Sequence, residues 1–161
     1  MSGRDWFGSY SETEAGDLVD SGLEILTEQE CFALVGRRPI GRVAVSVGAL
    51  PAVFPVNFCL VNHDVVFRTA AGTKFSAALH GTVVAFEVDD FDPAGHCGWS
   101  VLMVGQASEV SGTELAALEP LPVRPWARGV RDHVVRITCD FVSGRRIVLA
   151  DCGQRTETFG G

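Results

Sequence analysis

Four residues within seven positions have the chemistry to grip an anion: Arg68, Thr69, Thr73 and Lys74, in the stretch FRTAAGTKF. Arginine offers a planar fork of donors, lysine a point charge and threonine a hydroxyl. Lys74 is the only lysine in the chain. A strand running into a bend at Ala70–Ala71–Gly72, then a helix capped by Thr73, would converge these donors and the free amides of the helix start on one pocket. The spacing is not that of a P-loop, and by itself it equally suits a solvated turn carrying two unrelated cations.

A second group has less obvious chemistry. Pro55 interrupts an apolar run, removes a ladder donor and marks an edge or bulge; next to it, Val56–Asn57–Phe58 could lend backbone groups and an amide to the edge of a planar ring. Asn57 would serve equally in solvent. Trp99 and Trp126 could wall an aromatic ligand, although core packing suits the first and a subunit-interface anchor the second. Arg124, Arg128 and Arg131 flank Trp126 in a proline-rich stretch; Arg145 and Arg146, adjacent in a strand, must face opposite sides. No Ser/His/Asp set or carboxylate pair demands acid–base work by the protein, so no catalytic side chain is named.

Metal chemistry has little support. The five cysteines include no CxxC pair, the four histidines do not pair at ligand spacing, and His96–Cys97 lies in a loop-like DPAGHCG. Four cysteines sit in or beside apolar runs and read as reduced, small hydrophobes, which suits a cytoplasmic protein. A nucleic-acid partner is disfavoured as well. One arginine against six acids in residues 1–26 accounts for −5 of the net charge of −7, leaving the rest nearly neutral, with no basic face. No apolar run approaches a membrane span, and the first residues show no basic-then-apolar export signal.

The elements that would hold these residues are mostly strands. Residues 1–22 read as a flexible acidic extension, 23–150 as one folded domain and 151–161 as a tail. Thr27–Glu28–Gln29–Glu30 is a capping box that starts a short helix, ended by Gly36. From Pro39 the period is two. Strands are expected at 40–47, 52–61, 65–69, 83–88, 99–110, 133–142 and 145–150, with turns at 48–51, 62–64 and 143–144. Short helices are expected at 73–79 and 113–118. Six or seven strands in one chain commonly protect their edges by closing into a barrel.

Taken in order, IGRVAVS, LPAVFPVNF, VVFRTAAGTK, VVAFEVDDFD, GWSVLMVGQASEV, PW and SGRRI resemble the pyridoxamine 5′-phosphate oxidase-like FMN-binding split barrels, over roughly residues 23–149. The resemblance implies a mainly β protein, a six-stranded antiparallel split barrel with short helices. It implies a homodimer with FMN at the interface between subunits. The phosphate of FMN would be held by Arg68, Thr69, Thr73 and Lys74. The ring would run along Val56, Asn57 and Phe58, and Trp99 and Trp126 would stand near it, from either subunit. The expected activity is that of an oxidoreductase transferring hydride at flavin N5. The substrate-holding histidine of the true oxidases has no counterpart after His133, so pyridoxamine phosphate is not the expected substrate. Relatives that use a deazaflavin, or that bind flavin without catalysis, are the alternatives.

Overall fold

The computed structural model describes residues 22–70, 79–118 and 133–147. Eight strands and two helices occur among them: β1 (Leu23–Leu26), α1 (Glu28–Val35), β2 (Ile40–Val47), β3 (Leu50–Val61), β4 (Asp64–Thr69), β5 (Val83–Asp92), β6 (Cys97–Val110), α2 (Gly112–Leu118), β7 (His133–Ile137) and β8 (Phe141–Ile147). All pairings are antiparallel. Strands β2, β3, β4, β7, β6 and β5 pair in a ring, which is the expected six-stranded barrel. The long β6 makes the split possible. One of its edges pairs with β5; along the other, residues 98–104 take β8 and residues 107–110 take β7. Strand β1 then adds to β8 outside the ring.

Alternation of side chains decides what is core. Val43, Val45, Phe58, Val65, Phe67, Phe86, Val101, Met103, Val135 and Ile137 point inward and fill the barrel. A satellite cluster of Val66, Val110 and Val134 lies on the outer side of β4, β6 and β7, against Leu115 of α2. Two hairpins are tight: Gly48–Ala49 and Asn62–His63 are all at positive φ, as two-residue type I′ connections require. His63 is held further by its ring, which stacks on Phe32 at 4.0 Å and 8°.

Three local expectations are corrected. The last two strands were expected to break at Ser143–Gly144, but β8 runs straight through them. The break falls earlier, at 138–140. Gly144 is needed for closeness rather than for a turn, since a Cβ there would lie 2.6 Å from the Cys31 Sγ. The strand β1 was not foreseen; four residues carry too little periodicity to announce themselves. Cys97 is disulfide-bonded rather than reduced, whereas Cys31, Cys59 and Cys139 are free. The capping box is as expected: Glu30 accepts from the Thr27 amide at 2.8 Å, and Thr27 Oγ1 from the Glu30 amide at 3.4 Å.

Candidate flavin-binding face

The sheet formed by β3, β2, β5, β6 and β8 presents a broad outer face. One row across it is Pro55, Arg42, Glu87, Leu102 and Ser143. Two residues further along each strand come Asn57, Ile40, Asp89, Ser100 and Arg145. Five strands at ordinary spacing span roughly 19 Å. Apolar side chains are unusually open here: Val53 is 61% exposed, Phe91 69% and Val83 70%, with Ile25, Ile40 and Ile147 beside them.

A charged group sits among them. Arg42 donates to Glu87 at 3.1 Å and to Asp89 at 2.5 Å. These carboxylates push the guanidinium further up, Asp89 most strongly. Burial, aided by repulsion from Asp89, pushes Glu87 above the usual carboxylate range.

The expected site residues divide by the alternation of their strands. On β3, Val56 and Phe58 are buried in the core, so they can offer a ligand only backbone groups. Asn57 faces outward and donates from Nδ2 to the Pro39 carbonyl at 3.2 Å. Pro55 falls in the part of β3 that pairs with β2, whereas β4 pairs only with Phe58–Val61, so the missing donor lies beside an open edge. One step beyond the Phe58–Phe67 pair, Asn57 and Arg68 lie on the same outer side. Thr69 points the other way, into the barrel mouth, and is only 3% exposed. Strand parity therefore puts Arg68 and Asn57 on one outer side, each next after the last β3–β4 pair, and turns Thr69 away from them. Thr73, Lys74 and Trp126 lie outside the described residues.

Trp99 stands at the far end of the sheet. It packs partly on the core and partly lines a cleft of about 540 Å³ with Leu23, Phe91, His96, Arg145 and Ile147. The cleft is walled on one side by Asp89, Asp90 and Asp92; Asp90 pairs with Arg38. Its size suits a small organic ligand.

Two arrangements were missed in the sequence. The first is the Arg42–Glu87–Asp89 group, whose arginine lies more than forty residues from both carboxylates. The second is a hydrogen bond from the His133 ring to Glu109 at the barrel mouth. The available signal was parity: both residues occupy inward positions of strands whose other inward residues are apolar. Among the described residues no group of histidine, cysteine and carboxylate side chains could hold a metal, and no helix is long and apolar enough to cross a membrane.

Comparison with known proteins agrees with this architecture. The family model described as pyridoxamine 5′-phosphate oxidase matches residues 27–146. An uncharacterized protein of Mycobacterium tuberculosis is 40% identical over 128 residues, which cover 76% of this chain and 84% of the relative. The structure of the FAD binding protein from Mycobacterium smegmatis is 35% identical with a TM-score of 0.70, covering 78% of this chain and 99% of that one. A conserved protein of unknown function from Corynebacterium diphtheriae is 36% identical with a TM-score of 0.66, covering 79% and 99%. With the closed six-stranded barrel and this match along three quarters of its length, the chain belongs to the pyridoxamine 5′-phosphate oxidase family.

Proposed function

We propose that this protein binds FMN on the outer face of its sheet and acts as an oxidoreductase in a homodimer. The observation that supports the reading is that Arg68 and Asn57 share one outer side where the β3–β4 ladder ends. It sets a guanidinium for a phosphate on the same side as an amide and the β3 backbone for the polar edge of a ring. Thr69 would contribute through its backbone, with Thr73 and Lys74 completing the phosphate grip. The flavin supplies hydride chemistry at N5, and the protein's part is to fix the ring and exclude water.

The dimer follows from the same surface. Val53, Val83, Phe91 and Ile147 are open apolar side chains on that face, of the kind a partner covers. A second copy placed there would cover it and bring the cleft beside Trp99 and Arg145 towards the ring held by its partner. The group fits the residues present: the face is broad, carries donors at the phosphate end and has an aromatic-walled cleft at the other end.

FAD is a second reading, favoured by the FAD binding protein from Mycobacterium smegmatis at 35% identity. A visible spectrum of the purified protein, followed by chromatography of the heat-released cofactor, separates the readings. FMN is expected, from a two-band flavin spectrum. A single band at shorter wavelength would indicate a deazaflavin. A protein that takes up no flavin would overturn the proposal. Anaerobic NADPH or NADH should bleach the bound flavin; failure with both would leave a binding or sensing role without catalysis.

A further inference from the structure

The mouth of the barrel holds a cavity the outer-face site does not use. It encloses about 210 Å³ and is lined by Thr69, Leu79, His80, Ser108, Glu109, His133 and Val135. Strand pairing explains why polar groups meet there. Thr69 is directly opposite His133 across β4 and β7, and Glu109 is opposite Val135, two residues along from His133. All three continue the inward rows that deeper in the barrel are Phe67, Val135, Ile137 and Ala107. The apolar interior thus ends in a polar cup.

The chemistry of the cup is one-sided. Glu109 accepts from the Nδ1 of His133, which fixes the ring and leaves Nε2 for anything in the cavity. Thr69 is the one buried polar residue among those described, and no described residue takes up its hydroxyl. His80 adds a second imidazole, while Leu79 and Val135 give apolar walls. Among the described residues no arginine or lysine lines the cavity; Arg68, next to Thr69, faces the other side of β4. A metal ion is not the fitting guest, because these side chains do not converge as a ligand set. A carboxylate, a ring nitrogen and the Thr69 hydroxyl beside apolar walls match a guest that donates hydrogen bonds and carries positive charge.

We propose that the barrel mouth is a second binding site, for a compact organic cation: a primary ammonium on a short apolar chain. The ammonium sits between Glu109 and Thr69, and the chain lies against Leu79 and Val135. The site is independent of any flavin on the outer face.

The test uses the full chain with 15N-labelled histidine and three probes of equal length: n-butylammonium, n-butanol and butyrate. Butylammonium should shift the His133 ring resonances saturably, at concentrations where the other two do nothing. Glu109→Gln, a substitution at a partly exposed position, should weaken binding at least tenfold while the spectrum of the fold is kept. Thr69→Val should weaken it severalfold, and Arg68→Ala should leave it unchanged. Saturation with FMN should not displace the probe. Equal or tighter binding of butyrate or butanol, indifference to Glu109→Gln, or no response to any probe would each overturn the assignment. Displacement by FMN would overturn it too, because the cup would then be part of the flavin site.

Discussion

Arg68 and Thr69 are neighbours in sequence and leave β4 on opposite sides of the barrel wall. Arg68 is on the outer side with Asn57, where the β3–β4 ladder ends; Thr69 stands opposite His133 at the inner mouth. A strand places successive side chains on opposite faces, so one pocket cannot use both side chains of an adjacent pair.

That separation makes a prediction about the cofactor. Arg68→Ala should weaken FMN binding by about 10- to 100-fold, the value of a charge-assisted hydrogen bond of roughly 1.5–3 kcal/mol. Thr69→Val should leave FMN affinity essentially unchanged, because only its backbone faces the outer site. Fluorescence titration of the flavin measures both. Equal losses in the two variants would mean that Thr69 turns outward on binding.

Much of this was legible in the sequence, and the parts that were not share a cause. Val43, Val45 and Val47 announced β2 by their period of two, and Thr27 with Glu30 announced α1 by their spacing. Local patterns report local geometry. The sequence pairs Arg68 with Thr69 by adjacency, yet it takes the β3–β4 register to put Asn57 on the same outer side as Arg68. Arg42 and Asp89, or Glu109 and His133, meet only once strands distant in the chain have paired. Gly144 misled for a related reason: glycine suits a turn and also a close approach, and only the packing of Cys31 and Leu26 shows which applies.

Gly105 sits where β6 passes from β8 to β7, and its lack of a side chain permits that exchange. A Cβ there would fall 1.4 Å from the Thr138 carbonyl oxygen, a backbone atom in the short break before β8. The break is itself pinned, since the Thr138 and Asp140 amides donate to the carbonyls of Gln106 and Val104 at 3.1 and 3.0 Å. Gly105→Ala should therefore cost about 3 kcal/mol or more, at the upper end of overpacking penalties. Gly41→Ala also collides, with the buried Phe86 ring at 2.2 Å, but there a side chain can yield. Denaturant midpoints should rank Gly105→Ala as the less stable variant, and the reverse order would discount the backbone clash.

The capping box gives a pH dependence with a definite sign. The Thr27 hydroxyl, and next its backbone amide, hold the Glu30 carboxyl below its ordinary value of 4.5. A carboxylate with a lowered pKa in the folded state stabilises above its unfolded value and loses that contribution as pH falls through the folded one. Wild type should therefore exceed Glu30→Gln in Tm at neutral pH, with the gap closing as pH drops below about 4.5. Thr27→Ala should cost about 1 kcal/mol at neutral pH as a lost N-cap. A gap between wild type and Glu30→Gln that persists unchanged at low pH would show that Glu30 acts by packing and not by charge.

Val53 offers the sharpest separation between a monomer and the proposed dimer. It lies opposite Ala44 in the β2–β3 ladder and is 61% exposed on the outer face. If that face meets only water, Val53→Asp changes stability by no more than about 0.5 kcal/mol, as surface substitutions do. If a second copy covers the face, the new carboxylate is buried against its own symmetry mate or near it, and two like charges lose water together. Sedimentation equilibrium should then show a dimer in wild type and a shift to monomer in Val53→Asp, with the circular dichroism of the fold unchanged. FMN affinity should fall with the dimer, because in the proposed assembly the cleft of Trp99 and Arg145 would reach the ring from the other copy. A Val53→Asp protein that stays dimeric and binds FMN normally would move the interface elsewhere; one that becomes monomeric and still binds FMN normally would put the whole cofactor site within one chain.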